Sequence, residues 1–162
     1  MKLNTCYLGL GSNLGDSRAM IRHAEHLIIA HVGSIFKHSG YYGTQPWGML
    51  DQPDFINAVI GVHTPHSLDC LLDQTQWIER YMGKSKKEKY GPRIIDVDIL
   101  FYNAEKVKNK FLTVPHDKLH ERNFVLIPLA AIAPDLIHPE FNKSVSQLLK
   151  ECTDQSQVVK VA

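Results

Sequence analysis

The segment Arg93-Ile94-Ile95-Asp96-Val97-Asp98-Ile99-Leu100-Phe101-Tyr102 constrains the fold of this chain more than any other. From Ile94 onward it is rich in β-branched and aromatic residues, the composition of a strand. Side chains two apart on a strand share a face. Ile95, Val97, Ile99 and Phe101 are therefore expected to face a core together, and Asp96 and Asp98 to share the opposite face, roughly 6–7 Å apart at ~3.3 Å per residue. Two neighbouring carboxylates repel, and one tends to protonate unless something neutralises the pair. Hard oxygen donors suit Mg²⁺, which binds one or two carboxylates together with phosphate oxygens. Arg93, three residues before Asp96, is placed to meet a phosphate. The bland alternative is a solvated acidic strand face.

A length of 162 residues suits one domain, spanning 1–162, with a real core. Formal net charge of +1 argues against an electrostatic mode of nucleic-acid or membrane binding. Cys6, Cys70 and Cys152 are isolated and odd in number, which points away from a disulfide framework or zinc site and toward a reducing cytoplasm. The N-terminus lacks the apolar run of a signal peptide or membrane span.

Along the chain, Thr5–Leu10 reads as a strand, and Gly9-Leu10-Gly11-Ser12-Asn13 as a glycine-rich turn rather than a phosphate loop, since no Gly-Lys-Ser/Thr ending follows. Helical periodicity covers Ser17–His31, closed by Gly33. Ile35–Tyr42 is extended, 43–53 is a long Pro/Gly loop, and Phe55–Thr64 is a strand. A second helix over Ser67–Met82 ends before Gly83. The lysine-rich stretch 84–90 reads as a basic loop able to close over a polyphosphate. Val107–Val114 is an edge strand, and Phe124–Ala133 and Ser144–Lys150 are short helices. The order β-α-β-β-α-β with a C-terminal extension fits an α+β, ferredoxin-like split βαβ fold with an antiparallel sheet. Asn57, on a strand face with Phe55 and Val59, needs polar partners, and the edge of a flat heterocycle would supply them. His116 and Arg122 suit phosphate oxygens. His23, His26, His31 and His138 read as non-functional.

Four segments in order, 10–16, 51–57, 91–99 and 114–129, together resemble the 6-hydroxymethyl-7,8-dihydropterin pyrophosphokinase family of folate biosynthesis. The most specific is Gly91-Pro92-Arg93-Ile94-Ile95-Asp96-Val97-Asp98. The resemblance implies transfer of pyrophosphate from ATP to the pterin hydroxymethyl group, releasing AMP, with two Mg²⁺ held by Asp96 and Asp98. It further implies that Asn57 binds the pterin edge, that Phe55 and Phe124 sandwich the ring, and that Thr44, Pro46 and Trp47 complete the pterin pocket. Lys84, Arg93, His116 and Arg122 would act on the phosphates, Ile99 and Thr113 would line the adenosine side, and Glu79 would support the site from behind. Lys84 stands where the family usually has arginine, Tyr90 where tryptophan is common, and Asp117 where tyrosine is common. The expected protein is a cytoplasmic monomer acting on small molecules, with neither nucleic acid nor membrane as partner. The alternatives are an RNA-binding module of the same topology and a catalytically inactive pterin-binding relative.

Overall fold

Five strands hydrogen-bond side by side, all antiparallel, in the order β10-β3-β4-β1-β5, and β2 also pairs with β4. They are β1 (Asn4–Ser12), β2 (Ser34–His38), β3 (Tyr41–Thr44), β4 (Phe55–Thr64), β5 (Asp96–Tyr102) and β10 (Val158–Val161). The helices are α1 (Ser17–His31), α2 (Leu68–Tyr81), α3 (Asn123–Ile132) and α4 (Val145–Glu151). Two small hairpins, β6–β7 (Val107–Lys108, Thr113–Val114) and β8–β9 (Ile137–His138, Lys143–Ser144), complete the elements. This computed structural model describes residues 2–46, 48, 50–84 and 91–161. Trp47, Tyr90 and the loop lysines 86, 87 and 89 lie outside the described residues. None of the described helices is long and apolar enough to cross a membrane.

The sheet buries both faces. Cys6, Leu8 and Leu10 of β1, with Ala58, Ile60 and Val62 of β4, pack against Ile21, Ala24 and Ile28 of α1 and Leu71 and Ile78 of α2. On the other face Val59, Leu100 and Phe101 meet Val125, Leu126 and Leu129 of α3 and Val145 and Leu148 of α4. Helix starts follow side-chain capping: Asp16, Ser67 and Ser144 each accept a backbone N–H from the first turn.

Several boundaries differ from the sequence expectation. β1 does not stop at Leu10. Pairing with β4 on one side and β5 on the other carries it to Ser12, so Gly9 and Gly11 are strand residues, not a turn. Continuous ladders outweigh the weak strand preference of glycine. The stretch 35–42 is two strands, broken where Gly40 takes φ +83. Val107–Val114 is a hairpin off the main sheet rather than an edge strand; the strand order ends in β5 on one side and in β10, from the C-terminal extension, on the other. In β5 the expected alternation fails at Leu100. Leu8 pairs with Ile99 but Tyr7 with Phe101, so Leu100 is an extra, bulged residue. Ile95, Val97 and Ile99 face α1 and α2 as expected; Phe101 falls on the α3 side and Tyr102 takes its place. His138 is buried, its Nδ1 accepting from the backbone N–H groups of Glu140 and Phe141.

After α1 the chain passes so close to β4 that a Cβ on Gly33 would lie 2.0 Å from the carbonyl oxygen of His63. Backbone on both sides leaves nowhere to yield. Gly33→Ala is expected to destabilise the fold by about 3 kcal/mol or more, the upper range of overpacking. Urea denaturation checks this, and a loss under about 0.5 kcal/mol would show that the α1–β2 turn adapts.

Candidate active site

Gly9 and Gly11 lie on the sheet face opposite Leu8 and Leu10. Register sets Gly11 between Asn57 of β4 and Asp96 of β5, and Gly9 between Val59 and Asp98. With no side chain at either position, a trough runs across three strands. It forms the floor of a cavity of about 410 Å³. The walls bring together Thr44, Phe55, Asn57 and Phe124 with Lys84, Arg93, Asp96, Asp98, His116 and Arg122.

The Asn57 end is a slot walled by Phe55, Phe124 and a buried amide. Asn57 is buried, and its amide donates to Thr44 Oγ1 at 2.7 Å. A Cβ on Gly11 would sit 2.7 Å from Asn57 Oδ1, so only glycine leaves that amide in place. Phe55 flanks the slot from β4. Phe124 enters from the first turn of α3, where Asn123 donates its backbone N–H to Asp154 Oδ2 at 2.9 Å and its side-chain amide to the Asp154 carbonyl. The Arg122 guanidinium lies 5.6 Å from the centre of the Phe124 ring.

The Asp end is dominated by charge. The Lys84 ammonium lies 2.7 Å from Asp96 Oδ1 and 2.9 Å from Glu79 Oε2; Arg93 Nε is 3.6 Å from the same Asp96 oxygen. Glu79, on α2 behind the cavity wall, also accepts the Val97 N–H at 2.8 Å, so it anchors β5 as well as Lys84. Burial raises the Glu79 carboxyl, against Lys84 and the Val97 N–H. Enclosure by protein, then Asp96, pushes Asp98 upward against Lys84, Arg122 and Arg93. Solvent reaching Asp98 through the cavity mouth offsets part of that enclosure. The lining residues carry four cations, Lys84, Arg93, Lys118 and Arg122, and three carboxylates, Asp96, Asp98 and Asp117. Two carboxylates on one face over a side-chain-free floor are hard oxygen donors with room beside them, so the donor set fits Mg²⁺.

His116 is placed by its N–H to the Leu100 carbonyl, and its Nδ1 accepts the Lys118 N–H at 3.2 Å. Nδ1 is thus the unprotonated nitrogen, and the 3.7 Å approach of Asp117 Oδ1 to it is not an ion pair in the neutral ring. Burial, then Arg122, lowers the His116 pKa below 6.5.

Sequence reasoning misses four contributors. Gly9 and Gly11 read, from composition, as turn glycines. Asn13 ties the site together: its Oδ1 accepts the Arg93 N–H at 2.7 Å, its backbone N–H donates to Arg93 O, and its Nδ2 donates to Gln52 Oε1 and Pro53 O. Asp154 holds the start of α3. The available signal was the spacing of Gly9 and Gly11, two apart and so on one strand face. Three expected residues are not on the cavity wall. Ile99 points into the α1–α2 core, because its parity is opposite to that of Asp98; Thr113 lies on β7, and Pro46 is buried beside the cavity without lining it.

A family model for 7,8-dihydro-6-hydroxymethylpterin-pyrophosphokinase matches residues 7–134. A 2-amino-4-hydroxy-6-hydroxymethyldihydropteridine pyrophosphokinase from Methylorubrum extorquens is 42% identical over 136 residues, covering 83% of this chain and 86% of that one. The protein of the same description from Haemophilus influenzae is 36% identical over 156 residues, covering 95% and 96%. The HPPK-DHPS of Plasmodium falciparum shares the fold, with a TM-score of 0.73 at 18% identity over 93% of this chain; the match spans 43% of that longer chain. With a matching family model over most of its length, the chain belongs to the 7,8-dihydro-6-hydroxymethylpterin-pyrophosphokinase family.

Two outcomes test this geometry. Gly11→Ala displaces Asn57 and is expected to weaken binding of a pterin by about tenfold or more with the fold intact; calorimetric titration showing unchanged affinity would mean Asn57 is not a ligand contact. For His116, the folded ring resists protonation, so as pH falls below 6.5 the unfolded chain takes up the proton first. This group therefore contributes stability above that pH and loses it on the acid side. An NMR titration should place its midpoint below 6.5, and a midpoint at or above that value would contradict its burial beside Arg122.

Proposed function

We propose that this cavity transfers the terminal pyrophosphate of ATP to the hydroxymethyl group of 6-hydroxymethyl-7,8-dihydropterin, releasing AMP. One observation carries the reading: a single trough joins a slot for a flat, amide-edged ring to a cluster of cations and paired carboxylates. Membership of the pyrophosphokinase family supports it. The order β3-β4-β1-β5, with α1 and α2 on one face, supports reading the core as a ferredoxin-like split βαβ unit.

Phe55 and Phe124 stack on the two faces of the pterin, and Asn57, steadied by Thr44, pairs with its polar edge. The hydroxymethyl group then points along the trough toward Asp96 and Asp98. These carboxylates would hold two Mg²⁺ ions, which screen the phosphate charge and ease loss of the hydroxyl proton. Arg93, beside Asp96, together with His116 and Arg122 holds the phosphates, and Lys84 and Lys118 add charge. The pterin oxygen attacks the β-phosphorus. A new O–P bond forms, and the bond from that phosphorus to the α–β bridging oxygen breaks; AMP leaves with that oxygen and the hydroxyl proton passes to solvent. Positioning and charge compensation account for the rate, with no covalent enzyme intermediate. The adenosine lies beyond the phosphates, on the side of Thr113 and the Ile99 backbone. The enzyme in this reading is a cytoplasmic monomer.

Incubation with ATP, Mg²⁺ and the pterin alcohol is expected to give AMP only when the pterin is present; ADP as product, or no pterin-dependent turnover, would refute the reading. Asp98→Ala is expected to lower kcat by at least about 10³-fold with melting little changed, because the lost carboxylate faces the cavity rather than the core. Near-normal turnover would remove Asp98 from the mechanism.

A further inference from the structure

The cluster around Asp96 contains a cation of the protein's own. Lys84 follows Gly83, whose φ of +98 turns the chain sharply off the end of α2, and its backbone N–H is fixed to the Glu79 carbonyl at 3.0 Å. From that anchored position the ammonium reaches Asp96 Oδ1 at 2.7 Å while Glu79 Oε2 holds it from behind at 2.9 Å. Arg93 meets the same Asp96 oxygen only at 3.6 Å, and its Nη1 is committed to the carbonyls of Gly91 and Pro92. Among the described residues, none forms an ion pair with Asp98.

The paired carboxylates are thus neutralised unequally. One member carries a close ammonium; the other, over Gly9, stays open to solvent. An ammonium 2.7 Å from Asp96 Oδ1 competes for that carboxylate with a divalent ion that Asp96 and Asp98 would hold. We propose that Lys84 is a place-holder cation: it pairs with Asp96 in the metal-free protein and is exchanged for the divalent ion, swinging onto the phosphates that arrive with it. This rests on the metal-binding reading above. Glu79 serves as the pivot, holding the lysine near the cavity once Asp96 is given up. The exchange makes binding of the free metal weak and favours metal delivered with nucleotide, because only then does the displaced ammonium gain a new anionic partner.

The test is Mn²⁺ binding to the nucleotide-free protein, followed by electron paramagnetic resonance or calorimetry. Lys84→Met is expected to bind Mn²⁺ about tenfold more tightly than the parent, the scale of one partly buried ion pair. Lys84→Arg, which keeps the cation, is expected to stay within about threefold of the parent. Equal or weaker binding in Lys84→Met, or binding in neither protein, overturns the place-holder. Tight binding that survives adding Asp96→Asn to Lys84→Met puts the ion elsewhere and overturns the metal reading itself. In the unaltered chain, Mg²⁺ titration is expected to shift the Lys84 ammonium resonance; an unmoved resonance at saturating Mg²⁺ also overturns the exchange.

Discussion

Antiparallel pairing of β1 with β4 on one side and β5 on the other is the constraint on which the site depends. It places two glycines between strands that carry the reactive groups, and it does so to the residue: Asn57, Gly11 and Asp96 in one row, Val59, Gly9 and Asp98 in the next. A slip of one residue would turn Leu8 and Leu10 onto the cavity floor and the glycines into the core. The same register that buries Cys6, Leu8 and Leu10 against α1 and α2 therefore empties the opposite face for a ligand. Core formation and site formation are one event here.

Charge is organised around that floor with little waste. Asp96 and Asp98 belong to an element tied down from behind, where Glu79 grips both the Val97 N–H and the Lys84 ammonium. Asn13 fixes the backbone of Arg93 through both its side chain and its own N–H, and through Gln52 and Pro53 it links the segment before β4 to the same point. Removing a partner from such a set leaves a charge without compensation, which costs more than the pair contributed. The arrangement thus sets an acidic pair beside the cations that line the same cavity.

Much of this was legible in the sequence because it follows simple periods. Alternation in 94–99 placed the two aspartates on one face, and the helical period with its glycine stops located α1 and α2 to within a residue or two. The failures have physical causes. Simple alternation puts Phe101 on the wrong face because a bulge at Leu100 shifts parity, and bulges leave no local compositional mark. Gly9 and Gly11 suggest a turn because glycine is intrinsically poor in strands; only the two flanking ladders make it stable there. Asn13, Asp154 and β10 act through contacts distant in sequence, such as Asp154 to Asn123, which no window along the chain reveals. Ile99 and Thr113 came from resemblance alone, and their side chains do not line the cavity.

The central claim is that one trough holds the ring at Asn57 and the metal–phosphate group at the aspartate pair. A crystal structure with Mg²⁺, a non-hydrolysable ATP analogue and the pterin tests it most directly. The expected result is the pterin between Phe55 and Phe124 with its edge on Asn57, and Mg²⁺ coordinated by Asp96 and Asp98 between it and the analogue's phosphates. A pterin bound away from Gly11, or Mg²⁺ held by other residues with both aspartates uncoordinated, would contradict the account.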